Sequence, residues 1–158
     1  MLKVLQFVTL LLTGLLAGLL IGVWFVEQAM LGLSATIYTA VEIPKHQVFG
    51  PVMPWLMGFT FTAGLLLLIF MRQPRTGAFA LAGLGVLCIA IVITTSVLVN
   101  VPINTAIMTT WSVEGPPANW TQVRDRWNVF HNIRTILAIL AFGGHIGAVL
   151  LVQSRQKN

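Results

Sequence analysis

The sequence predicts an all-α fold: an integral-membrane, antiparallel four-helix bundle with two long outward-facing loops. Three observations predict it. The 158 residues are 57% hydrophobic and only 8% charged, whereas a soluble domain carries about 25% charged residues. Too few polar side chains exist to coat a water-facing surface. Four apolar runs each approach the roughly 20 residues that a helix needs to cross the hydrocarbon. Finally, backbone amides in lipid must be bonded within the segment, and helices achieve that.

The four runs lie near 4–26, 52–71, 78–99 and 133–152, in one membrane domain covering 1–158. The first resembles a secretion signal, but its apolar stretch is too long and no small-x-small cleavage pattern follows it. It is expected to stay as a span. Gly14, Gly18 and Gly22 recur every four residues along it. Side-chain-free positions at that spacing form a seam for a close helix, from the same chain or from a second copy. Gly143, Gly144 and Gly147 offer the fourth span a similar surface.

Spans two and three are joined by the short "RQPRTG", which makes them an antiparallel pair. Pro102 follows span three and leaves the Leu98 carbonyl without its helical donor, so a kink is expected there. After "EGPPANW", Asn119 is a candidate N-cap with Gln122 at the third helical position. From there a helical extension over about 120–132 runs into span four. Cys88 lies in an apolar run with no cysteine to pair with, and reads as a small buried hydrophobe.

The net charge is +5 and the isoelectric point about 10.4. The excess is one-sided. Lys3, Arg72, Arg75, Arg155 and Lys157 fall at one membrane face without an acidic neighbour. At the other face Lys45, Arg124, Arg126 and Arg134 are matched by Glu27, Glu42, Glu114 and Asp125. The positive-inside rule makes the first face cytoplasmic, with both termini inside. A multi-pass protein of a bacterial-type inner or plasma membrane is expected. The basicity is a topology signal, and no nucleic-acid partner is read from it. The partners expected are the bilayer and a hydrophobic small molecule, with a homo-oligomer through Gly14, Gly18 and Gly22 left open.

The informative stretch is "WTQVRDRWNVFHNIRT". At 100° per residue, Trp120, Arg124, Trp127, His131 and Arg134 fall within an arc of about 80°. Such a stripe either anchors at the interface or faces the bundle interior, and ionisable residues within a span are functional candidates by default. Ser96, Asn100 and Asn104 recur at four-residue spacing on the third span and its extension. Glu27 ends span one on the side away from its glycines. Glu42 and His46 are four apart with Pro44 between them, so a shared helical face is not assured. Together these groups outline a cup with apolar walls, suited to a flat or greasy molecule arriving from lipid. His145 is isolated and reads as bonded to a neighbouring helix. No continuous polar path for a transporter is evident.

"NVPIN", followed by Trp120, Arg124, Trp127, His131, Arg134 and Thr135, resembles the anthrone-oxygenase-like family of small four-span membrane proteins. The glycine-rich first span ending in "VEQA" fits it too. The resemblance covers nearly the whole chain. It implies oxygenation of an aromatic anthrone to the quinone, with no metal or organic cofactor. That chemistry needs a base and a partner for an enolate oxygen. His131 is the expected base, because imidazole titrates near neutrality. Arg124 or Arg134 is expected to hold the oxyanion, and Asn100 and Asn104 to orient substrate. Trp127, with Trp120, is expected to stack on its ring. Glu27 is expected to orient His131 or to serve as base itself. Two alternatives stay open. One is a non-enzymatic membrane binding or assembly protein. The other is a haem or transition-metal protein with His46, His131 and Glu27 as ligands.

Overall fold

The computed structural model describes residues 1–71 and 77–155. Arg72, Arg75 and Lys157, which carry part of the charge asymmetry, lie outside the described residues. The chain forms four rods. They are α1 (Leu2–Met30), α2 (Ala35–Phe70), a composite third rod, and α5 (Trp120–Arg155). The third rod runs from α3 (Gly77–Thr95) through a π-helical turn (Ser96–Asn100) into α4 (Val101–Thr110). Every rod is long and apolar enough to cross a membrane, and no strand occurs among the described residues. The four-helix membrane bundle expected from composition is the fold observed.

Neighbouring rods are antiparallel, because partner numbers rise in one as they fall in the other. Along α1 and α5, Thr13 meets His145, Leu20 meets His131, and Leu31 meets Arg124. Along α1 and α2, Leu12 meets Thr60 and Glu27 meets Lys45. Ser96 reaches α2 through Met57 and α5 through Arg134. Apolar contacts among Leu16, Leu20, Met57, Ile89, Val92 and Ala138 fill the middle of the bundle. Met30, Tyr38, Ile107 and Trp111 form a second cluster at the end away from the termini, here called the distal end.

The structure differs from expectation in the first long connection. Only a turn around Leu31–Ser34 separates α1 from α2, and the following residues are helical rather than loop. Ser34 is the N-cap, its hydroxyl facing the Ile37 N–H. Pro44, Pro51 and Pro54 all lie inside α2. Each removes one amide donor, yet the helix still satisfies more backbone than an irregular segment would at the edge of a bilayer. The 36 residues of α2 make a rod of about 54 Å against about 30 Å of hydrocarbon. Its distal turns therefore tilt within the membrane or stand above it, as do those of α5. The expected kink at Pro102 takes the form of the π turn, in which the Val101 N–H bonds the Ser96 carbonyl.

The tightest packing joins α3 to α5 through glycine. A Cβ on Gly144 would fall 2.9 Å from the Leu81 carbonyl oxygen, and one on Gly85 would fall 2.5 Å from His145 Nε2. His145 is fully buried, with Nδ1 3.2 Å from Thr13 Oγ1. The glycines of α1 behave otherwise. Gly14 packs on Phe142, but Gly18 and Gly22 have nothing within 4 Å of an added Cβ. Within one chain they are not a helix-packing seam.

A contrast follows. Gly144→Ala pushes a methyl against backbone that has no freedom to turn aside, and is expected to destabilise by about 1–3 kcal/mol. Gly143→Ala enters open space and gains helix propensity, so it is expected to be neutral or stabilising by up to about 1 kcal/mol. Labelling of the buried Cys88 thiol during unfolding in detergent reads both. Equal stability of the two variants would refute the tight approach.

Candidate functional site

The inward stripe of α5 builds one wall. Trp127, His131 and Arg134 are all buried, so this face turns toward the bundle rather than toward lipid. His131 stacks on Trp127 with ring centroids 4.7 Å apart and planes 12° apart. Arg134 donates to Ser96 Oγ at 3.0 Å and to His131 Nδ1 at 2.9 Å. A guanidinium only donates, so His131 Nδ1 accepts. The ring proton therefore sits on Nε2, which donates to the Leu20 carbonyl at 3.1 Å. His131 is neutral with both nitrogens engaged, a geometry that leaves no lone pair for a substrate proton.

The opposite wall is a knot of charges between α1 and α2. Lys45 Nζ bridges Glu27 Oε1 and Glu42 Oε1. The second Glu27 oxygen faces the Tyr38 hydroxyl at 3.5 Å. The second Glu42 oxygen lies 2.9 Å from His46 Nε2. Pro44 does not separate Glu42 from His46, because α2 runs unbroken through it and the two share a face one turn apart. His46 also lines the cavity between the two walls.

Between these walls lies a cavity of about 90 Å³ lined by Lys45, His46, Ser96, Asn104, Trp127 and Arg134, together with His131 and apolar residues of α1 and α2. Trp127 is its centre. Its indole N–H donates to Asn104 Oδ1 at 2.6 Å. Lys45 Nζ lies 4.8 Å and Arg134 Cζ 5.7 Å from its ring centroid. The two cations are not equivalent. Lys45 is held by two carboxylates, whereas no carboxylate pairs with Arg134 among the described residues, and its Nε has no partner. Arg134 is thus a buried positive charge whose neighbours are neutral.

Of the residues singled out from sequence, the cavity gathers His131, Arg134, Trp127, Asn104 and His46. Others serve elsewhere. Arg124 pairs with the exposed Asp125 and donates to the Leu31 carbonyl at 3.1 Å, closing the end of α1. Trp120 packs on Tyr38 at 5.4 Å in the distal cluster. Asn100 donates to the Trp127 carbonyl at 3.2 Å and ties the π turn to α5. Glu27 reaches the cavity only through Lys45. The ligand set His46, His131 and Glu27 does not assemble, since each already faces another protein group. Among the described residues no group of three or more His, Cys, Asp or Glu is placed to hold a metal ion. Lys45 was missed. Its signal was the Glu42, Lys45, His46 spacing, obscured by assigning the stretch to a loop.

The family model described as anthrone oxygenase matches residues 45–144. That span begins at the lysine of the knot and includes every cavity residue of α2, the third rod and α5. No curated protein and no solved structure matches the chain.

The knot generates its own test. Lys45→Met leaves two buried carboxylates facing each other with no cation, and is expected to cost about 3–5 kcal/mol of stability. Adding Glu27→Gln and Glu42→Gln to that variant is expected to recover most of it. Chemical denaturation in detergent micelles measures both. A Lys45→Met protein as stable as the parent would show that the ammonium does not bridge the two helices.

Proposed function

The chain belongs to the anthrone oxygenase family, and from that premise we propose that the distal cavity oxygenates an apolar, enolisable aromatic molecule with dioxygen and no cofactor. The observation that carries the reading is that His46, its Nε2 2.9 Å from Glu42 Oε2, lines the same cavity as the guanidinium of Arg134, which no carboxylate pairs among the described residues. A carboxylate-oriented imidazole is a proton acceptor, and an unpaired cation stabilises the anion that proton loss creates.

His46 Nδ1 takes a proton from the ring methylene, and the enolate oxygen settles on Arg134. The enolate gives one electron to dioxygen, and the resulting radical pair joins to form a carbon–oxygen bond. The peroxide takes a proton to become a hydroperoxide. Loss of water then turns the former CH2 carbon into a carbonyl. One dioxygen is consumed, and one quinone and one water form. In this scheme His131 is a positioning residue: it accepts from Arg134 and fixes the guanidinium. Trp127 and Asn104 shape the wall beside the ring.

The charge asymmetry supports a second expectation: the termini face the cytoplasm and the cavity faces outward.

Purified protein in nanodiscs with anthrone and ¹⁸O₂ tests the reaction. One labelled oxygen is expected in the new quinone carbonyl, and His46→Gln is expected to lower kcat by at least about 100-fold. Full turnover in His46→Gln would remove the base assignment. An unlabelled carbonyl from ¹⁸O₂ would remove the oxygenase reading itself.

A further inference from the structure

The cavity is too small for the molecule it is proposed to act on. About 90 Å³ holds a few waters, or dioxygen and the edge of one ring, whereas sites for drug-sized ligands run to about 300–1,000 Å³. The missing room lies next door. A groove of about 490 Å³ opens on the outer surface between α1 and α2, lined by Gly18, Gly22, Val26, Val41, Pro44 and Val48. Val23, Lys45 and Phe49 line both the groove and the cavity, so these three side chains are the partition between them.

We propose that this groove is the binding site for the apolar body of the substrate, which enters from the bilayer and places only its reacting edge in the cavity. This rests on the oxygenase reading and adds to it the place of the part of the substrate that does not react. Three features carry it. The groove walls are apolar apart from Lys45, and the Lys45 ammonium is turned inward to Glu27 and Glu42, leaving its hydrocarbon stem toward the groove. Gly18 and Gly22 have nothing within 4 Å of an added Cβ, so the floor is open at the level of the partition. Continuity selects this groove over its neighbour. A second apolar hollow, also of about 490 Å³, lies by Gly14, Leu15 and Phe142 but shares no lining residue with the cavity.

Gly18→Leu and Gly22→Leu fill the groove while leaving every cavity side chain in place. Full-length protein in nanodiscs is titrated with 9,10-anthraquinone, read by quenching of tryptophan fluorescence, and assayed with anthrone. Both variants are expected to raise the anthraquinone Kd and the anthrone KM by about tenfold or more with kcat within about twofold, the pattern of lost binding that is equal in ground and transition states. Gly143→Leu, on an exposed face of α5 with nothing within 4 Å of an added Cβ, is the control and is expected to change neither. Three results overturn the proposal: parent protein that does not bind anthraquinone, groove variants that bind and turn over like the parent, or variants that only dissociate a dimer of the parent without weakening binding. Loss of binding in Gly18→Leu with no turnover in the parent leaves the groove assignment standing and removes the oxygenase reading, so the two failures are distinguishable.

Discussion

A charge inside a lipid-embedded bundle has no water to turn to, so it must find its partner in the protein. That constraint organises this molecule. Glu27 from α1 and Glu42, Lys45 and His46 from α2 gather in a single knot, in which Lys45 bridges the two carboxylates and ties the distal halves of the two helices together. The other distal tie runs from α5. Arg134 and His131 bond Ser96 of the π turn and the Leu20 carbonyl of α1. The bonds that hold the distal bundle together are therefore the same bonds that aim side chains into the cavity. A substitution there alters fold and chemistry at once. This is why the stability of the knot and the turnover of the cavity must be measured separately.

The π turn shows how backbone and site are coupled on the third rod. Pro102 has no amide hydrogen, so the rod needs an adjustment just before it. A five-residue hydrogen-bonding ring supplies one, and such turns recur at functional sites. Here it leaves Ser96 and Asn100 buried against α5, Ser96 bonded to Arg134 and Asn100 to the Trp127 carbonyl. One turn further on, Asn104 receives the Trp127 indole N–H. A proline that appears only to disrupt a span thus accompanies the polar ladder that orients the central tryptophan.

The bundle was legible because membrane helices follow from composition and run length alone. The inward turn of Trp127, His131 and Arg134 was legible because 100° per residue puts them on one face, and a bundle helix turns one face inward. What was not legible depends on contacts between helices. Pro44 argued against a shared helical face, and that reading hid the Glu42, Lys45, His46 face; α2 runs unbroken through the proline. His131 carried the right residue type for a base, but its availability depended on Arg134 and Leu20, which no spacing rule places beside it. Gly18 and Gly22 have the spacing of a packing seam, yet within the chain nothing lies within 4 Å of an added Cβ at either. Spacing identifies faces. Only the tertiary structure says what each face meets.

The imbalance at Arg134 gives the site its chemical direction. Its guanidinium is buried, bonded only to neutral partners, and open at Nε. An enolate oxygen placed about 4 Å from that charge gains on the order of 4 kcal/mol at an effective dielectric near 20. At about 1.4 kcal/mol per unit, that lowers the pKa of the substrate's carbon acid by about three units. The neutral substrate gains almost nothing from the same charge. On the proposed reading the cation favours the ionised form over the form that arrives from lipid, and this differential stabilisation would speed proton loss. Lys45 does not substitute for it, because Glu27 and Glu42 already neutralise that ammonium. On the proposed reading, the knot supplies the base through Glu42 and His46 and keeps its own cation occupied. On the same reading the enolate is then drawn to Arg134, where dioxygen dissolved in the bilayer can meet an electron-rich carbon shielded from water.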